Sequence, residues 1–211
     1  MTIGAGVKVK VCGITNSEDA KKSIQAGSDA LGFVFYRNSP RYIAPDKASA
    51  IIKALPKKIK KIGVFVNAKE DSIRRIAGIC RLDMLQFHGN ESAEFCRKFR
   101  NYKVIKAFRI KDKIETEKIS RYLTYAYMFD AFNKYKFGGT GKKFNWNLLR
   151  SKDKIKRVIF LSGGLTERNV ARAIKAVQPD WVDVSSSVEI KPGKKDYAKI
   201  KGFIDAVKVV N

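Results

Sequence analysis

Apolar and polar positions along the chain fall into two alternating patterns. Short apolar runs rich in Val, Ile and Phe recur at residues 7–12, 30–35, 61–66, 84–87, 104–108, 125–130, 157–161 and 181–184. Runs of this length and composition predict eight buried strands. Between them lie amphipathic stretches at 17–25, 45–55, 72–80, 92–99, 166–177 and 197–207, which predict helices. Ser17 is the expected cap of the first, with Glu18 and Asp19 facing the positive end of its dipole. Pro45 suits the first turn of the second, and Thr166 with Asn169 offers a cap for the helix before the last strand. The connections near 114–123 and 146–149 are less clearly helical.

Alternation of strand and helix implies parallel strands joined by right-handed crossovers. Eight such units favour closure into a single (β/α)8 barrel over an open doubly wound sheet. The expected unit is one domain spanning residues 1–211, since no Pro/Ser-rich linker or low-complexity segment divides the chain. In such a barrel the loops that follow the strands share one face. Side chains far apart in sequence then meet there.

Composition narrows the classes. No apolar run approaches the roughly 20 residues that span a bilayer, and the first residues lack the order of a secretory signal. Cys12, Cys80 and Cys96 are too few and too scattered for a disulfide framework or a CxxC metal site. His88 is the only histidine, so no His-pair metal motif exists. The reading is a cytoplasmic protein with reduced thiols and no recognisable metal-ligand spacing. Lys and Arg total 44 against 20 acidic residues, a net charge of +24. The lysines are dispersed and not clustered with aromatics. They read as a solvated surface that steers an anionic substrate, in preference to a nucleic-acid interface.

Three glycine-serine turns follow predicted strands late in the chain: Gly138-Gly139-Thr140-Gly141, Ser162-Gly163-Gly164 and Ser185-Ser186-Ser187. Backbone amides in such turns form nests for anions, so their convergence points to a phosphate ester. Cys12 ends the first strand and reads either as a base or nucleophile or as a small buried hydrophobe. Asp130 ends the sixth and reads as a partly desolvated acid or as a loop cap. Asp183, at the eighth, suits a hydrogen-bonding or a chemical role. Arg41, after the second, could grip a carboxylate or lie solvated. His88 could line the site or hold its loop.

Taken in order, Lys10-Val11-Cys12-Gly13-Ile14-Thr15, Ser39-Pro40-Arg41-Tyr42-Ile43, Gln86-Phe87-His88-Gly89, Gly138-Gly139-Thr140-Gly141, Leu161-Ser162-Gly163-Gly164 and Asp183-Val184-Ser185-Ser186 resemble the phosphoribosylanthranilate isomerase family over nearly the whole chain. The resemblance implies a cofactor-free Amadori rearrangement in tryptophan biosynthesis. It assigns Asp130 as general acid and Cys12 as general base. Arg41 is implied as the carboxylate grip, with Asp183 and His88 on the substrate. Gly139, Thr140, Gly141, Ser162, Gly163, Gly164, Ser185 and Ser186 are implied around its phosphate. The partner is a small phosphorylated substrate, and the chain is read as a monomer or homodimer. Two departures are noted. Ser187 stands where the family usually has glycine and is expected to crowd the turn or change its φ; Asn145 replaces an Asp in a loop. Rival readings are the related histidine-pathway isomerase, which would show a half-chain repeat and an Asp in place of Cys12, and a non-enzymatic RNA-binding protein.

Overall fold

The computed structural model describes residues 6–131, 145–149 and 157–210. Eight parallel strands close into a barrel in sequence order: β1 (Lys8–Cys12), β2 (Ala30–Val34), β3 (Lys60–Phe65), β4 (Met84–Phe87), β5 (Lys103–Ile110), β6 (Ala126–Ala131), β7 (Val158–Leu161) and β8 (Trp181–Val184). Helices α1 (Ser17–Ala26), α2 (Pro45–Lys53), α3 (Glu70–Cys80), α4 (Ala93–Arg97), α5 (Thr116–Ser120), α6 (Glu167–Val177) and α7 (Tyr197–Lys208) lie in the connections. Every predicted strand is present within about two residues of its expected ends. The two doubtful connections hold the short α5 and a 3-10 turn, Trp146–Leu149. Asn145 accepts the Asn147 N–H at 3.1 Å and so caps that turn.

Two details differ from the sequence reading. Asn16, not Ser17, caps α1: its side chain accepts the Asp19 N–H at 2.8 Å, and Ser17 is already helical. Asn and Ser cap equally well, so register alone decided between adjacent candidates. A small antiparallel hairpin, β9 (Glu189–Lys191) and β10 (Lys194–Lys195), follows β8 and was not predicted. Its signal was the Pro192-Gly193 turn, with Gly193 at φ +81°. At the N-cap of α6, Asn169 reaches back to accept the Thr166 N–H at 2.9 Å.

The core has two shells. Residues facing outward from the strands, such as Val11, Leu31 and Leu85, pack under the helices. The barrel's lower interior is filled by a separate set, including Ile62, Met84, Ile105, Met128 and Phe160, with Phe160 stacked on Trp181 at 5.0 Å. Strand side chains alternate faces, so each strand gives one shell and then the other. That alternation sets the site. On β1, Lys10 and Cys12 share the inward face while Val9 and Val11 face the helices. Parallel pairing of β1 with β8 places Lys10 directly opposite Asp183.

Candidate active site

The barrel mouth opens into a cavity of about 450 Å³. Cys12, Arg41, His88, Asp130 and Asp183 all line it, as do Ser162, Gly163 and Gly164 after β7 and Ser185 and Ser186 after β8. Gly139, Thr140 and Gly141 lie outside the described residues.

Cys12 is 8% exposed and packs against Val34 and Val64. Burial pushes its thiol above the ordinary value, and Asp183 adds to that; Lys10 and Lys195 pull it down. The surroundings therefore favour the thiol over its anion. Lys10 lies beneath it, fully buried, with Nζ 2.6 Å from Asp183 Oδ1. Burial alone would lower the Lys10 pKa, but Asp183 and Cys12 hold it above the usual lysine value. Reading the lysines as a solvated surface missed this one. The period-2 alternation of β1, with Lys10 two residues before Cys12, was the signal that could have found it.

Asp130 is buried, and one oxygen takes the N–H of Ala131 at 2.8 Å. The other stands 3.0 Å from His88 Nε2, while His88 Nδ1 stands 2.7 Å from Gln86 Nε2. Both ring nitrogens of His88 are thus engaged by protein groups. Gln86, another residue that sequence reasoning passed over, shares the inward face of β4 two residues before His88. The loop carrying His88 is locked from below by Glu91. That carboxylate accepts the N–H groups of Asn67 and Gly89 and pairs with buried Lys106 at 2.8 Å.

Gly163 has φ +89°, and a Cβ there would stand 2.5 Å from the Ala131 nitrogen and 2.9 Å from Asp130 Oδ1. Only glycine lets this turn run over the tip of β6. Among the described residues, no backbone acceptor takes the amides of Gly163, Gly164 or Ser186. These N–H groups can cradle an anion. Ser162 differs: its N–H goes to Phe129 O at 2.8 Å and its hydroxyl to Asp183 Oδ2 at 3.1 Å. The Ser185 hydroxyl likewise goes to Cys12 O at 3.0 Å. These two serines build the frame of the site, and their hydroxyls are spent doing so. Ser187 does not strain the turn as expected. Its φ is not positive, it sits in a 3-10 turn, and its hydroxyl donates to Leu165 O at 2.6 Å, tying the last two loops together.

Arg41 is buried, and its guanidinium meets Glu189 of the hairpin in a two-pronged pair. Three kinds of group thus line one cavity: a thiol above a cation, a carboxyl held by a histidine, and an arginine with a nest of free amides. None of the described residues forms a cluster of His, Cys, Asp and Glu able to hold a metal ion.

Comparison with known proteins places this arrangement. The profile of the N-(5′-phosphoribosyl)anthranilate (PRA) isomerase family matches residues 9–206. The N-(5′-phosphoribosyl)anthranilate isomerase of Geotalea uraniireducens is 50% identical over 201 residues, covering 95% of this chain and 98% of that one. The crystal structure of phosphoribosyl anthranilate isomerase from Thermotoga maritima superposes with a TM-score of 0.90 at 42% identity, covering 96% of this chain and 99% of that one. A crystal structure of such an isomerase in complex with reduced 1-(o-carboxyphenylamino)-1-deoxyribulose 5-phosphate matches with a TM-score of 0.87 at 41% identity, covering 96% and 99%.

Proposed function

This chain belongs to the N-(5′-phosphoribosyl)anthranilate isomerase family, and on that premise we propose that Cys12 and Asp130 are its general base and general acid. The reaction is the Amadori rearrangement of N-(5-phosphoribosyl)anthranilate to 1-(2-carboxyphenylamino)-1-deoxyribulose 5-phosphate in tryptophan biosynthesis. The observation that carries the assignment of roles is that the Cys12 thiol and the Asp130 carboxyl line one cavity beside a cation and an anion nest.

Asp130 gives its proton to the ring oxygen as the C1′–O bond breaks. The anthranilate nitrogen supplies its lone pair and becomes a protonated Schiff base. Cys12, its thiol proton lost to solvent, then removes the C2′ proton as the thiolate, and the C–H electron pair neutralises the iminium to give an enolamine. Tautomerisation puts a proton on C1′ and takes one from the C2′ hydroxyl, leaving the ketone. The substrate gains two protons and loses two, and the proton taken up by Cys12 is released to solvent as Asp130 regains one, which resets both groups for the next turnover. Lys10 stabilises the thiolate, and the cationic Schiff base does so again at the moment it is needed.

Gln86 and His88 serve Asp130. In one arrangement the Gln86 amide donates to His88 Nδ1, so Nε2–H donates to a carboxylate. Turning the amide over presents Gln86 Oε1, which has no partner in the structure, to an Nδ1–H. His88 Nε2 then accepts from a protonated Asp130. The relay accommodates both states that an acid passes through in one turnover. Arg41 meets the anthranilate carboxylate. The amides of Gly163, Gly164 and Ser186 meet the phosphate, together with Gly139, Thr140 and Gly141. Asp183 orients the sugar and holds Lys10. The chain acts as one domain in the cytoplasm, as a monomer or homodimer; among the described residues no helix is long and apolar enough to cross a membrane.

The test is loss of fluorescence from freshly made phosphoribosylanthranilate on adding the purified protein. Cys12→Ala and Asp130→Asn should each lower kcat about 10²–10⁴-fold while the circular dichroism spectrum is retained. Wild-type turnover in either variant removes that residue from the mechanism.

A further inference from the structure

Arg41 is held before any substrate arrives. Its Nε and Nη2 donate to Glu189 Oε1 and Oε2 at 2.9 and 2.7 Å. This side-on pairing uses one edge of the guanidinium. The end-on fork, formed by the Nη1 hydrogens and the second Nη2 hydrogen, stays available to the cavity that Arg41 lines. Glu189 sits at the start of the β9–β10 hairpin and is itself tied down. Its Oε1 also accepts Lys195 Nζ at 2.9 Å and the Gly193 N–H at 3.2 Å. Lys195 is fully buried and donates in addition to Ser185 O at 3.1 Å. From the opposite side, the loop after β1 presses on Arg41: a Cβ on Gly13 would stand 2.6 Å from Arg41 Cδ.

The charges do not cancel. Arg41 and Lys195 set two positive charges against the one negative charge of Glu189, which leaves one beside the cavity while Lys195 keeps its proton; burial lowers the Lys195 pKa below the usual lysine value, and Glu189 opposes that. A lone Arg–Glu pair would be neutral and would compete with a second carboxylate. Burial alone would raise the Glu189 carboxyl, yet Arg41 and Lys195 keep it below its ordinary value.

We propose that Glu189 and Lys195 are positioning residues that lock Arg41 edge-on, so that its free fork and the residual charge select a substrate carrying a carboxylate on its aryl amine. This rests on the reading of Arg41 given above, and the experiment separates the two. Two stable reduced product analogues, one with the aryl carboxyl and one without, are measured as competitive inhibitors of the full chain. The wild type binds the carboxylated analogue more tightly, and the ratio of the two Ki values reports that selectivity. Arg41→Met should abolish it. Glu189→Gln should cut it about tenfold: Gln can accept only one of the two Arg41 N–H groups, and the loss of the two-pronged anchor that aims the fork outweighs the positive charge gained when the carboxylate goes. A hairpin that merely holds the fold together would weaken both analogues alike and leave the ratio intact.

A full ratio in Glu189→Gln, with the ratio lost in Arg41→Met, overturns the proposal. A full ratio in Arg41→Met removes the carboxylate reading itself, and the proposal with it. Should Glu189→Gln fail to fold, Lys195→Met is read by the same ratio. It leaves Arg41 neutralised by Glu189, so the ratio must again fall, and an unchanged ratio again overturns the proposal.

Discussion

A thiol in a dry pocket is a poor base until something stabilises its anion. For Cys12, burial raises the pKa and Lys10 opposes it from the turn of strand beneath. Proton abstraction should therefore speed up as the thiol ionises, and kcat/KM should rise with pH through and above the ordinary thiol range. Removing Lys10 removes a cause that lowers the Cys12 pKa. Lys10→Met should shift that rise to more alkaline pH, whereas a purely structural Lys10 would lower activity equally at every pH. The pH profile of kcat/KM for the two proteins makes the comparison. The same scale explains what could be read directly. Cys12 and Asp130 stand at strand ends beside glycine or small residues, where chemistry has a local signature. Lys10 looks like any of the other lysines until the inward face of β1 is fixed.

At the scale of elements, the helices bring in two further thiols that stay out of the chemistry. Cys80 ends α3 and Cys96 sits on α4, each buried among apolar side chains. Burial raises both to about pH 11 from a starting value of 9.0. An acid whose pKa is raised by folding keeps its stabilising share below the unfolded pKa. That share is lost as pH climbs toward the folded value, because the unfolded chain releases its protons first. The melting temperature should fall between about pH 9 and 11, and the Cys80→Ala/Cys96→Ala variant should show a shallower fall. Thermal melts across that range test it. The element boundaries themselves were mostly legible, since the apolar periodicity that marks a strand or helix is local. The β9–β10 hairpin was not: its strands are three and two residues long and carry lysines and glutamate. Its order comes from Arg41, Thr15 and Asp19, partners distant in sequence that hold Glu189, Gly193 and Lys195.

On the scale of the whole molecule, the net charge of +24 acts through the field around the barrel. The substrate carries a phosphate and a carboxylate, so association should be steered. Its kcat/KM should fall as salt rises and shortens the Debye length to about 10 Å at 0.1 M and less beyond. The turnover number, set within a cavity where screening is weak, should change far less. Stopped-flow or steady-state kinetics over a salt series would check this; a salt-independent kcat/KM would leave the charge with no part in catalysis.

The sequence by itself determined the alternation of strand and helix, hence the barrel, and most of the residues at its mouth. Those features depend on short-range periodicity and on turn chemistry, which each segment carries whatever its neighbours do. Only the tertiary structure decided which of these residues stand against one another. Closing β8 against β1 set Asp183 on Lys10, and the inward register of β4 strung Gln86 and His88 to Asp130. The return of the hairpin clamped Arg41. The strength of a buried charge or hydrogen bond depends on what else has been brought into the same dry space, and that is a property of the closed barrel rather than of any stretch of chain.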